Sequence, residues 1–442
     1  MTRKLLISTI VALATSVSVH AGGLMTNTNY HIAFDRMFAR GASTEIDAAY
    51  SNPAGLAWGH EGWQLSLNFQ KPWQNRDIEA VTAAGNQKFE GKASAPIVPA
   101  LFASYKKGDW AFSTMIGIVG SGGYVEYKQG VPMYNMVISG KMSQLGIQPG
   151  TYGFDSEMKG KQYIYGGQIN ITRKINDNFS AAIGLRANYY DGYYRGHVTA
   201  NNHPQFGELA SLALDVDQRG WGFAPIVSID YHNGPLTIAT RYEFRTKIET
   251  ENKENLLNAG LGTNLQNYIA QVNPAALDVI NATLGGAVAG YKDGVKTRYD
   301  MPALFVAAVG YEFSKNLRGA LEYHFFDDTH AKMADERQKT LEHGTHEILA
   351  GIEFDINDKF TVSCGGQRTD YGLSDDYQKD TSFACDSYSV GVGGAWNIND
   401  KLRLNASYFC TLYTDYTKPT TYGSEIFSRT NHVIGVGLDY KF

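Results

Sequence analysis

The strongest pattern along the chain is a two-residue alternation of apolar and polar positions. Trp63, Leu65, Leu67 and Phe69 fall on one face of an extended segment, and Gln64, Ser66, Asn68 and Gln70 on the other, because successive side chains of a strand point to opposite sides. The same division sets Trp110, Phe112, Ile116 and Ile118 against Ala111, Ser113 and Gly117, and Leu402, Leu404, Ala406 and Tyr408 against Arg403, Asn405 and Ser407. Fourteen such segments begin near residues 63, 96, 109, 161, 178, 220, 235, 301, 317, 346, 358, 387, 400 and 431. Short turns such as Lys107-Gly108-Asp109, His232-Asn233-Gly234 and Asn399-Asp400-Lys401 take every second connection, and long loops take the others.

An even number of antiparallel strands, short turns at one end and long loops at the other is the pattern of an outer-membrane barrel. Hydrocarbon cannot satisfy an open sheet edge, so a spanning sheet must close on itself. The predicted fold is an all-β membrane protein: a 14-stranded antiparallel transmembrane β-barrel with an N-terminal plug, or hatch, in its lumen. The expected divisions are an export signal over 1–21, the plug over 22–62, and the barrel with long extracellular loops over 63–442.

The signal reading rests on Arg3 and Lys4, the apolar run from Leu5 to Ala14, and small residues three positions and one position before Gly22. No cysteine follows that run, so no lipid anchor is expected. No later apolar run reaches the ~18 residues of a membrane helix, which leaves strands as the means of crossing. About forty residues of mixed polarity ahead of a barrel this wide can fold into its lumen.

Composition sharpens this picture. A net charge of −5 over 442 residues offers no basic stripe and excludes nucleic acid as a partner. Tyr occurs 28 times, and Tyr189, Tyr190, Tyr193, Tyr194, Tyr323, Tyr408, Tyr413 and Tyr440 gather toward strand ends, where a membrane barrel carries its aromatic girdles. The last segment, His432 to Phe442, ends on an aromatic with Ile434, Val436, Leu438 and Tyr440 on the same face, the type of terminus that barrel-insertion machinery reads. Cys364, Cys385 and Cys410 lack metal-ligand spacing, so no metal, cofactor or disulfide framework is expected.

A turn-forming stretch, Asn52-Pro53-Ala54-Gly55, lies in the plug segment. With that motif about thirty residues beyond the signal cleavage site, ahead of fourteen strands, and with Trp221-Gly222-Phe223 opening the sixth, the mature chain resembles the FadL family of outer-membrane channels for long-chain fatty acids and other hydrophobic compounds. The resemblance implies a plug contacting the wall through Asn52, Pro53, Ala54 and Gly55. It also implies a third strand that kinks inward and opens a gap for sideways exit. Gly120, Gly122 and Gly123 are the kink candidates, since glycines weaken a strand and suit a bulge; a strand ending in a flexible loop is the alternative. Basic residues near the tops of the fifth and ninth strands contact the ligand head group in the family. Lys332 and Arg195 occupy similar places; Arg186 and Lys332 point inward by strand parity, whereas Arg195 has outward parity unless the chain bulges near Gly192.

Between Asn255 and Gly290 the only charged residue is Asp278. Leu261, Leu265, Ile269, Leu277 and Ile280 recur there at helical spacing, which suits an apolar cap that collects a hydrophobic ligand. The expected function is passive transport of hydrophobic molecules, with long-chain fatty acids as the leading cargo, by a monomer surrounded by outer-membrane lipid of a Gram-negative bacterium. A general porin and a structural or adhesive barrel are the alternatives. An enzyme is not expected: Val119-Gly120-Ser121-Gly122-Gly123 lacks the spacing of a nucleophile elbow, and His324 and His330 have no evident serine partner.

Overall fold

The computed structural model describes residues 24–442 apart from 83, 84, 381 and 422; the expected export signal lies outside the described residues. Eighteen strand segments form one antiparallel sheet. Four barrel strands are each built of two segments in line, so eighteen segments give fourteen strands. The first is Gly62–Thr82, the second Gly85–Ser94 with Val98–Lys107, the third Trp110–Tyr127, the fourth Gly153–Lys174, the fifth Phe179–Asn201, the sixth Ala210–Asn233 and the seventh Leu236–Glu243 with Glu249–Leu261. The eighth is Lys296–Arg298 with Leu304–Glu312, followed by Leu317–Phe326, Thr345–Asp355, Phe360–Asp370, Ser387–Asn397, Leu402–Tyr413 with Tyr416–Thr420, and Gly423–Lys441. The first strand pairs with the fourteenth from Gln64 opposite Lys441 to Thr82 opposite Gly423, and this closes the barrel.

The alternation maps onto the wall as membrane burial requires. Gln64, Ser66, Asn68 and Gln70 are buried in the lumen, whereas Trp63, Leu67 and Phe69 are 56, 41 and 44% exposed on the outer face. Apolar groups in that position are stable only when hydrocarbon replaces water around them.

The fourth, fifth and sixth strands run 22, 23 and 24 residues, about twice the 9–11 that cross a bilayer. Their loop-side ends rise clear of the hydrocarbon, and there the outer face carries ion pairs such as Lys161–Asp191 (2.6 Å) and Arg195–Asp215 (2.9 Å). Outward charge interrupts the apolar alternation. For that reason the sequence placed the start of the sixth strand near 220, although it begins at Ala210, and Trp221-Gly222-Phe223 lies inside that strand rather than at its opening. The last strand begins at Gly423 rather than near 431, because its outward positions there include Ser424, Ser428 and Thr430, polar like the buried Glu425 and Arg429 of the inner face. Three of the expected girdle tyrosines point into the lumen: Tyr190 and Tyr194 are buried, and Tyr413 lies under the Arg429 guanidinium against the interior cluster.

Residues 24–61 lie inside the barrel. Helix α1 (Ile32–Met37), helix α2 (Ala48–Ser51) and a 3-10 turn at Pro53–Trp58 are its regular elements. Helix α1 rests on bare wall backbone: a Cβ added to Gly351 or Gly365 would collide with the Met37 carbonyl, and one on Gly391 would collide with the Asp35 carbonyl. Arg36 pairs with Glu353 of the tenth strand, and Arg403 of the thirteenth reaches Glu45 at 2.7 Å.

Candidate functional site

At the loop end the barrel mouth is covered by three helices. Helix α3 (Pro132–Gln144) follows the third strand, and α4 (Thr263–Val272) and α5 (Pro274–Val288) follow the seventh. The seventh strand continues to Leu261, so the apolar stretch read from Asn255 begins as strand and becomes helical at Thr263. Leu261, Leu265, Ile269 and Ile280 are buried, and Leu277 packs beside them, in a cluster that also holds Ile138, Met142, Tyr194, Val198 and Phe427. Tyr268, Val272 and Val279 are 47, 60 and 62% exposed, so the same helices both seal the mouth and offer apolar surface to the outside.

Below this cap a second apolar cluster reaches the barrel's middle through Met25, Tyr30, Met115, Val119, Ile164, Tyr190, Ile248 and Tyr299. Tyr190 stacks on Tyr299 with ring centroids 5.1 Å apart, and Tyr194 meets Tyr291 edge-on at 5.8 Å. The interior therefore presents an apolar, aromatic column from the mouth toward the third strand.

The third strand is broken beside this column. Its ladder with the second strand runs from Trp110 opposite Lys107 to Ile116 opposite Leu101 and resumes at Tyr124 opposite Ser94. Among the described residues, 117–123 have no second-strand partner, and the pairing with the fourth strand shifts register on both sides of Gly120. The plug supplies the missing contacts: Thr26 bridges Gly120, the Asn27 amide donates to the Val119 carbonyl at 3.1 Å, and the Tyr30 hydroxyl donates to the same carbonyl at 3.0 Å. A Cβ on Gly120 would collide with the Met25 carbonyl, and Gly123 has a φ of 81°, where side chains other than glycine are strained. Gly122 lies within the second shifted stretch. Beside the break is a cavity of about 40 Å³ lined by Tyr30, Gln70, Ala95, Val98, Ile118 and Tyr163.

The Asn52 motif sits toward the short-turn end. Asn52 Nδ2 donates to Asp230 at 2.6 Å and the Ala54 amide to Ser228 Oγ at 3.0 Å, while the carbonyls of Pro53 and Ala54 accept from Thr172 (2.7 Å) and Ser180 (2.8 Å). Trp58 Nε1 adds a 3.2 Å bond to Asp230. Gly55 is required because a Cβ there would press on the Ser43 carbonyl. Sequence reasoning found the motif but not its wall partners, because a polar lumen residue such as Ser228 is indistinguishable in sequence from its neighbours.

The three head-group candidates do not converge. Arg186 is buried in the lumen, paired with Glu243 and lying over the Tyr50 ring at 5.4 Å. Lys332 is exposed in the loop after the ninth strand, its backbone joined to Asp300. Arg195 is on the outer face, paired with Asp215 and Asp217. The ladders pass through Gly192 without a shift on either side, so no bulge turns Arg195 inward, and it is not a lumen ligand. His324 is engaged by Glu322 (2.6 Å) and Glu347 (2.9 Å), and Glu322 also accepts from the Gly41 amide of the plug at 2.7 Å.

The arrangement can be compared with known proteins. Residues 259–442 match a family model described as an outer membrane protein beta-barrel domain, while no curated protein sequence matches significantly. Among solved structures, a Pseudomonas aeruginosa FadL homologue superposes with a TM-score of 0.66 at 14% identity, covering 95% of this chain and all (100%) of the other. The fold is that of the FadL homologues. The Pseudomonas putida toluene transporter TodX superposes with a TM-score of 0.57 at 14% identity, over 90% of this chain and 94% of TodX. The Ralstonia pickettii toluene transporter TbuX gives 0.52 at 12% identity, over 90 and 94%. The FadL fold thus spans plug and barrel together, and the identities are low because membrane-facing and lumen-facing positions constrain polarity and size far more than residue type.

Proposed function

We propose that the chain is a passive outer-membrane channel for hydrophobic molecules, with long-chain fatty acids as the leading cargo. A ligand is captured on the exposed apolar surface of α4 and α5, enters the aromatic column beneath the cap, and leaves sideways between the second and third strands. The broken ladder at 117–123 carries this reading. A sheet inside a membrane gives up its strand pairing only where something else satisfies the freed groups, and here the plug segment at Thr26 to Tyr30 satisfies part of them at the end of the apolar column. Withdrawal of that segment would open the wall to lipid without exposing the lumen to bulk water.

The reading is tested by uptake of labelled palmitate and labelled toluene into cells producing the protein, beside single-channel recording of the purified barrel. Uptake with no large steady conductance is the expected result. A large steady conductance with no uptake of either compound would assign the barrel to the general porins instead.

A further inference from the structure

Below the broken ladder the outer face of the wall is concave. The paired positions Ala103 and Thr114 point into the membrane with small side chains, and Thr114 is opposite Ile169, which is opposite Leu185. One level nearer the short turns stand Trp63, Tyr105 and Phe112, the first two with ring centroids 4.8 Å apart. Ile169 and Ile183 project at 64 and 65% exposure. The small pair between these large neighbours makes a groove of about 740 Å³, within the range of ligand sites. One outward pair, Leu101 and Ile116, separates it from the gap: Thr114 is three residues from Gly117, about 10 Å along a strand. It lies on the short-turn side of the gap, the direction in which the ligand must travel.

We propose that this groove is an exit site, which holds the hydrocarbon chain of the ligand as it passes through the wall. The proposal rests on the lateral-exit reading above and adds a place outside the barrel to it. A second outer concavity, of about 610 Å³ around Gly319, Gly351 and Gly365, is equally lipid-facing, but the ladders beneath it are unbroken. Lipid alone would fill both concavities; a ligand delivered through the gap would fill only the first.

The experiment presents diazirine-bearing palmitic acid to cells producing the protein, with photolysis and peptide mapping at short times, and measures uptake in parallel. Labelling of peptides holding Phe112 to Ile116 and Ile169 to Ile171, at least tenfold above the second concavity, is expected. It should vanish in an Ala103→Trp/Thr114→Trp variant, whose lipid-facing tryptophans are compatible with barrel insertion, and in an Ala95→Trp variant that fills the gap. Equal labelling of the two concavities, or groove labelling that persists in Ala95→Trp, would mean arrival from the bilayer and would overturn the proposal. Normal uptake with no groove label would overturn the exit site and leave lateral transport standing. Absence of wild-type uptake would bring down the transport reading itself.

Discussion

Asp230 is the wall group on which the plug motif depends most. Replacing it with alanine removes the 2.6 Å bond from Asn52 and the 3.2 Å bond from Trp58, while the Ser228, Thr172 and Ser180 contacts remain. Asn52 is 1% exposed, so water cannot replace the lost acceptor there without rearrangement. Taking about 2 kcal/mol for the short bond to a charged acceptor and about 1 kcal/mol for the longer one, seated motif is weakened by about 3 kcal/mol. That corresponds to a rise of about a hundredfold in the population of the unseated motif, while strand pairing is untouched. Hydrogen exchange followed by mass spectrometry on the barrel in lipid nanodiscs reads this directly. Amides from Ala54 to Trp58 should exchange about a hundredfold faster in Asp230→Ala, and strand amides at the wild-type rate. Unchanged exchange at Ala54 to Trp58 would show that the backbone contacts alone hold the motif and would refute the reasoning.

Breaking the buried Arg186–Glu243 pair with Arg186→Met should cost roughly 3–5 kcal/mol because Glu243 is left unpaired, and adding Glu243→Leu should recover most of it; urea unfolding in detergent checks both. Gly351→Val forces a Cβ against the Met37 carbonyl and should destabilise plug seating by roughly 1–3 kcal/mol, read as faster exchange in α1 with the barrel ladders intact. Asp380, in the loop before the twelfth strand, accepts from the Met133 amide at the start of α3 at 2.6 Å. Burial, and then the facing Glu425 carboxyl, push its pKa up to about 7, with the Met133 amide and Lys418 opposing. Its folded pKa is raised, so its contribution is greatest below pH ~4 and is lost as pH rises to about 7. Protection of α3 amides should fall over that interval, and Asp380→Asn should abolish the slope; an identical slope in the variant would contradict the assignment.

Much of the wall was legible because one physical rule, apolar toward lipid and polar toward lumen, repeats at every second residue from Trp63 to Phe442. The rule fails where its cause ends. Above the membrane Lys159, Asp191 and Asp215 face water, so strand ends there look like loops. The five-residue gap between Glu243 and Glu249 hides a strand that breaks and resumes. The head-group candidates were less legible still, since parity predicts which way Arg186 or Arg195 points but not which carboxylate claims it. The glycines of the wall illustrate a third limit. Gly351, Gly365 and Gly391 read as ordinary strand glycines, and only the position of α1 shows that each yields space to plug backbone.

The central claim is that the apolar column empties sideways between the second and third strands. Ala95 is buried at the edge of that opening and lines the small cavity beside the break. An Ala95→Trp variant, confirmed as a folded barrel by its exchange pattern, should bind a fluorescent fatty acid at the mouth as the wild type does but take up labelled palmitate at least tenfold more slowly. Uptake at the wild-type rate in that variant would contradict lateral exit.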